Sequence, residues 1–150
     1  MPLSERITNV DDLRSWKDQI PLHYVYTSGV AGEKFLRGLR DGKILAAKCK
    51  SCGRQYLPPK MYCVNCYLEI TEFAEVGPQA SVRALAESHV NFDGTVAPNP
   101  RTFAFVAFKG VTGGIVHYAG GGLKVGSRVT ARFRPKAERK GTMLDIEGFF

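Results

Sequence analysis

Every cysteine of this 150-residue chain lies between Cys49 and Cys66, in the stretch KCKSCGRQYLPPKMYCVNCY. Cys49 and Cys52 form one C-x2-C pair, and Cys63 and Cys66 form a second, ten residues further on. A C-x2-C pair in a tight turn can aim both sulfurs at one ion. Two such turns make a tetrahedral four-thiolate site. The gap is shorter than the ~15–20 residues of the commonest paired pattern, but a hairpin has room to bring the pairs together. Gly53 stands where the first turn needs a positive φ. Tyr67 follows the second pair and breaks the symmetry of a rubredoxin-like pattern. Pro58 and Pro59 stiffen the connection between the pairs.

Four thiolates favour zinc, with iron the competitor because a rubredoxin site uses the same donors. Such a site has no open coordination position, so it cannot activate water or polarise a carbonyl. A redox dithiol would leave the second pair unexplained and lacks a βαβ context. The expectation is a structural metal at Cys49, Cys52, Cys63 and Cys66 that folds a module too small to fold alone.

Little else in the chain has the form of an active site. His23, His89 and His117 are scattered and read as packed or capping residues. No G-x-S-x-G or G-x-x-x-x-G-K-[ST] motif occurs, and no cysteine is left over as a nucleophile. The glycine-rich GGIVHYAGGG lacks a following helix whose dipole could hold a phosphate. Its glycines fit bends or a close backbone approach. Asp93, Asp145 and Glu147 show no pairing suited to acid–base work.

The elements that must position the cysteines follow from periodicity. In GEKFLRGLRDGK, Phe35, Leu36 and Leu39 share one side and the charges take the other, predicting a short amphipathic helix that stops near Gly42. Upstream, SWKDQIPLHYVYTSG is expected to be irregular, with Pro21 blocking a helix and Trp16, Tyr24 and Tyr26 seeking burial. After the cysteine block come five short runs rich in Val, Phe, Ile and Thr: ASVRALAESHVNF, RTFAFVAFKG, GGIVHYAGG, SRVTARFRP and TMLDIEGFF. In VTARFRP, Val129, Ala131 and Phe133 face one way and Thr130, Arg132 and Arg134 the other. With one long loop near Asn91–Pro100, the fold class is mainly β. It comprises an N-terminal helical arm (1–42), a four-cysteine zinc ribbon (43–70) and a C-terminal five-stranded OB-like barrel (71–150). An open meander or a small sandwich is the alternative for the last part.

Composition bounds the class. Hydrophobic content of 44% and charged content of 23% are those of a globular domain, and no apolar run approaches the ~20 residues of a bilayer span. The opening MPLSERITNVDDLRSW has acids and no apolar core, so it is not a secretory signal. The expected location is cytoplasmic, with no membrane partner. The net charge of +7 is concentrated. Seven Lys/Arg lie between Lys124 and Lys140 against one acid, Glu138, and four more lie unopposed between Lys48 and Lys60. Such a surface suits a polyanion, a phosphorylated cofactor or an acidic partner, and equally a solvated face that aids solubility.

The order helix, four-cysteine ribbon, β barrel resembles the zinc-ribbon/OB-fold proteins that accompany thiolase-type acyl-CoA enzymes, a family catalogued as a domain of unknown function. The resemblance covers about residues 33–134. It rests on FLRGLRDGKILAAKCKSCGRQYLPPKMYCVNC, on SHVNF and RTFAFVAFKG, and on LKVGSRVTARF. The departures are Tyr67 in place of a glycine and the glycine-rich GGIVHYAGGG. The resemblance implies a non-catalytic subunit with structural Zn2+, a thiolase-type catalytic partner in a hetero-oligomer, and CoA or acyl-CoA as a ligand of the complex. On an OB barrel the binding face lies between the second and third strands and their loops. This makes Arg101 and His89 the candidate cofactor-binding residues, with Arg132 and Arg134 on the outer face. No catalytic residue is expected in this chain. A nucleic-acid-binding ribbon/OB module is the alternative, encouraged by a pI near 9.4. It is weakened because Phe133, the one aromatic among those cations, alternates toward the core. A free-standing enzyme ranks last.

Overall fold

The computed structural model describes residues 25–91 and 94–150. The expectations for Trp16, Tyr24, His23 and Asp93 therefore fall outside the described residues. Tyr26 is described and exposed.

The helix α1 runs from Gly29 to Arg40, and Phe35 and Leu39 are buried while Glu33, Arg37 and Arg40 are exposed, as the periodicity requires. Its end is set by two backbone bonds, from the Gly42 N–H to the Leu39 carbonyl and from the Lys43 N–H to the Gly38 carbonyl. These close the helix in a Schellman motif. The strands β1 (Ile44–Lys48), β2 (Gln55–Leu57), β3 (Glu72–Val76) and β6 (Val111–Gly113) form one sheet in the order β3-β1-β2-β6. A second sheet contains β4 (Gln79–Val90), β5 (Val96–Ala107), β7 (Ile115–Tyr118), β8 (Arg128–Phe133) and β9 (Ile146–Phe149), in the order β7-β5-β4-β8-β9.

The five strands of the second sheet are the five apolar runs of the sequence, but they do not close into a barrel. The edge strands β7 and β9 meet through one isolated bridge, Ala119 to Phe149, instead of a ladder. Nor is Asn91–Pro100 wholly a loop. The segment from Val96 is strand, and the β4–β5 hairpin extends as a two-stranded ribbon. Pro98 and Pro100 fit because the register shifts between Ser88 and Val90, so no ladder bond is asked of them. The alternation expected in β8 holds, with Val129 and Ala131 buried and Thr130 and Arg132 exposed.

The chain passes between the two sheets at Gly113 and Gly114. Gly113 lies opposite Leu57 in the parallel β2–β6 pair. A Cβ there would collide with the Leu57 carbonyl, and one on Gly114 would collide with the Val106 carbonyl. The first half of the glycine-rich stretch therefore marks a close backbone approach.

The strand β1 joins the cysteine site to the core. Its alternation sends Ile44 and Ala46 into the main cluster, with Phe35, Leu39, Leu57, Val82, Val106 and Phe149. Ala47 and the following Cys49 enter a second cluster with Tyr56, Cys63 and Ile70.

Candidate metal centre

Each cysteine pair sits in a turn closed by the same two backbone bonds. In the first, the Gly53 N–H donates to the Cys49 carbonyl at 2.9 Å and the Cys49 N–H to the Arg54 carbonyl at 2.9 Å. In the second, the Tyr67 N–H donates to the Cys63 carbonyl at 2.8 Å and the Cys63 N–H to the Leu68 carbonyl at 2.9 Å. The left-handed residue is Gly53, φ 71°, in one turn and Tyr67, φ 58°, in the other. The sequence asymmetry at Tyr67 thus leaves the geometry symmetric. A tyrosine occupies a conformation that costs an L-residue about 1–2 kcal/mol.

The turns bring all four sulfurs within 4.8 Å of one another. Tetrahedral zinc with Zn–S bonds of ~2.3 Å needs sulfurs about 3.8 Å apart, and the Cys52 and Cys63 sulfurs are 3.6 Å apart. The donor set, its spacing and its closure fit a structural zinc ion held by Cys49, Cys52, Cys63 and Cys66. Cys49 and Cys63 are buried, Cys66 is half-buried and Cys52 faces solvent.

Tyr56, which the sequence reading passed over, is part of this centre. It is 1% exposed, and its hydroxyl lies 3.3 Å from the Cys63 sulfur. As donor to that sulfur it is the main cause that lowers the Cys63 thiol to about 6, and the same contact pushes the Tyr56 hydroxyl up to about 12. At Cys52 the Arg54 backbone favours the thiolate, but desolvation and the sulfurs of Cys66, Cys63 and Cys49 prevail and raise it to about 11. One thiol ionises readily and a neighbour resists. A dication held by Cys49, Cys52, Cys63 and Cys66 would stabilise all four thiolates together. The signal for Tyr56 was its place in QYL, between the pairs, where β2 pairs with β1 and turns its ring toward the sulfurs.

The other candidates lie elsewhere. Arg101 is in β5 opposite Ser88 of β4, and His89 is the next residue, so both stand on the extended ribbon. Both are exposed, and His89 is 3.9 Å from Glu87. Arg132 pairs with Glu147 at 2.6 Å and stacks on the Phe150 ring at 3.9 Å. Arg134 is 3.9 Å from Glu138 and donates to the Leu144 carbonyl. These two arginines are engaged within the fold, and Phe133 packs against the core.

His117 and Asp145 are the buried polar residues of the described chain. The His117 Nε2 is 2.9 Å from the Met143 carbonyl and its Nδ1 has no partner among the described residues. Burial lowers its pKa, and because a carbonyl only accepts, Nε2 carries the proton it donates to Met143. Burial alone would raise the Asp145 carboxyl. The backbone N–H groups of Lys140, Gly141 and Thr142 and the Thr142 hydroxyl outweigh it and hold the group below its ordinary value. Asp145 thus ties the 140–142 loop to the start of β9.

Residues 37–68 match a family model described as ChsH2, rubredoxin-like zinc ribbon domain. A crystal structure of a DUF35-family protein of unknown function from Sulfolobus solfataricus is 33% identical, with a TM-score of 0.63 over 69% of this chain and 78% of that one. The chain belongs to the DUF35 family. An Ltp2–ChsH2 (DUF35) aldolase structure shares the fold, with a TM-score of 0.58 at 16% identity over 71% of this chain and 85% of that one. No curated protein matches the chain significantly. Among the described residues no helix is long and apolar enough to cross a membrane.

Proposed function

We propose that this chain is a non-catalytic, zinc-containing subunit of an acyl-CoA-processing enzyme, working in the cytoplasm beside a thiolase-type catalytic subunit. One observation carries this reading. All four cysteines of the chain converge on one closed thiolate set, so none remains to form an acyl thioester. The family supports it, since a DUF35 protein of similar fold is found in an Ltp2–ChsH2 aldolase. The finer assignment we propose is the small subunit that assists thiolytic cleavage of benzoylsuccinyl-CoA in anaerobic toluene degradation. On this reading Arg101 and His89, exposed on the β4–β5 ribbon, face the CoA thioester or the mouth of the catalytic subunit.

The test is affinity purification of the tagged chain from its source cell, followed by thiolysis assays. The expected result is a stoichiometric thiolase-type partner, turnover by the complex and none by the chain alone. Thiolysis by the chain free of partner would overturn the reading, and so would its purification without any acyl-CoA enzyme. The nucleic-acid alternative requires DNA affinity that falls steeply as salt rises.

A further inference from the structure

At the end of the β4–β5 hairpin opposite its turn lies a cavity of about 270 Å³, lined by Gln79, Ala80, Ser81, Arg83, Ala107, Phe108 and Lys109. None of these lining residues is a carboxylate. Arg83 and Lys109 are both exposed, and neither has an ion pair or hydrogen bond to any described residue. Arg37, Lys43, Lys50, Arg132 and Arg134 each have a carboxylate within ion-pair distance.

Arg83 reaches this place through a backbone device. Val82 pairs with Val106 and Ala84 with Phe105, so Arg83 is an extra residue in β4 with no partner in β5. A bulge of this kind re-aims a side chain and breaks the strand's phase. Ala80 and Val82 are buried before it, Arg83 and Ala84 are both exposed, and Leu85 returns to the core. Lys109 comes from just beyond the end of β5. Ser81 pairs with Ala107 across the ladder, and its hydroxyl has only a long contact, 3.4 Å, to the Ala107 carbonyl. The Gln79 amide has no described partner. Two free cations, an amide and a hydroxyl therefore line one concave site, and the buried Ala80 and Phe108 contribute apolar wall.

We propose that this cavity is an anion site that binds the phosphoryl group of a small phosphorylated ligand, a phosphate monoester or a diphosphate. Arg83 offers a planar fork suited to two phosphate oxygens and Lys109 a point charge. The apolar wall accommodates a ring or chain attached to the phosphate. A single-stranded nucleic acid calls for cations along a track with exposed rings between them, whereas here two cations meet at one cavity. The site lies at the other end of the β4–β5 pair from Arg101 and His89, and its test reads binding by the zinc-loaded chain without a catalytic partner, so it can fail while the acyl-CoA reading stands.

The experiment is titration of the full-length, zinc-loaded, 15N-labelled chain with adenosine 3′,5′-bisphosphate, and in a parallel arm with inorganic phosphate, followed by amide shifts. The expected result is perturbation of the amides from Gln79 to Arg83 and from Ala107 to Gly110. Binding by both ligands identifies a free-phosphate site, and binding by the bisphosphate alone identifies an organic phosphate. The double variant R83Q/K109Q should weaken binding at least tenfold, the factor expected when charge-assisted bonds are lost. R132Q should leave it unchanged, and the exchange R83K/K109R, which keeps both charges, should restore most of it. Absence of shifts at these amides, binding that survives R83Q/K109Q in a folded sample, or oligonucleotide binding at this cavity without bisphosphate binding would each overturn the proposal.

Discussion

Replacing Tyr67 with glycine should tighten zinc binding, although it removes a large side chain. Tyr67 holds φ 58°, and relief of that conformation is worth about 1–2 kcal/mol. Glycine returns about 0.5–1 kcal/mol of this through the entropy of the unfolded chain. The ring is 84% exposed, so lost packing subtracts a few tenths of a kcal/mol more. The Tyr67 N–H bond to the Cys63 carbonyl is a backbone bond and survives the change. The balance is about 0.5 kcal/mol in favour of the variant, or about twofold in zinc affinity. The first turn supplies the reciprocal perturbation. Gly53 has φ 71°, and a Cβ there meets nothing within 4 Å, so Gly53→Ala isolates the backbone cost. It should weaken zinc binding two- to fivefold, about 0.5–1 kcal/mol. Competition against a chromophoric chelator at neutral pH measures both variants. If Tyr67→Gly binds zinc more weakly than the parent, or Gly53→Ala binds it equally well, the equivalence of the two turns is wrong.

Other outcomes follow from contacts of the same kind. Tyr56→Phe keeps the buried ring and removes the hydroxyl at Cys63, so zinc affinity should fall about 10–100-fold in the same competition assay while the fold stays intact. Cys52→Ser, or removal of the metal by a chelator, should cost a large share of the ~10–16 kcal/mol seen for structural zinc; a cooperative fold that survives either, read by circular dichroism, would contradict a structural role. The His117 pKa is lowered in the folded protein, so the unfolded chain takes up the proton first. Denaturant midpoints at saturating zinc should therefore fall as pH drops below ~6.5 and level off below the folded value, and His117→Gln should flatten that slope. Asp145→Asn presents an amide N–H₂ to backbone donors and should cost about 1–3 kcal/mol, measured by urea unfolding at neutral pH.

The local features of this fold were legible because single residues carry them. The cysteine spacing defines the metal set, Gly42 ends the helix, and the Val129–Ala131–Phe133 alternation faces the core as drawn. The bulge at Arg83 was not legible. An extra residue in a strand is a property of two strands together, and ASVRALAE read alone shows only a run of small and apolar residues. The strand character of Val96–Pro100 was hidden for the same reason. Two prolines argue against a strand until the partner's register shift at Ser88–Val90 removes the need for their N–H groups. Tyr67 was read as a departure from symmetry because residue type and backbone conformation usually go together, and here packing of the turn around the sulfurs overrides the preference.

The position of the metal centre relative to the core shows what a closed four-thiolate site can do for the fold. β1 is the middle of the joint: one face packs Ile44 and Ala46 against the helix and the large sheet, and the other carries Ala47 into the cluster around Cys49 and Tyr56. β2 repeats the arrangement, with Tyr56 toward the sulfurs and Leu57 in the main core. The second cluster has five buried residues, two of them cysteines, too little apolar surface to order its own loops. The metal supplies the missing cross-links. By holding β1 and β2 in register it also holds the surface on which α1 packs and the edge to which β6 adds. A four-thiolate ion at this joint would therefore act on the rest of the fold through β1 and β2, by fixing the frame on which the two clusters pack.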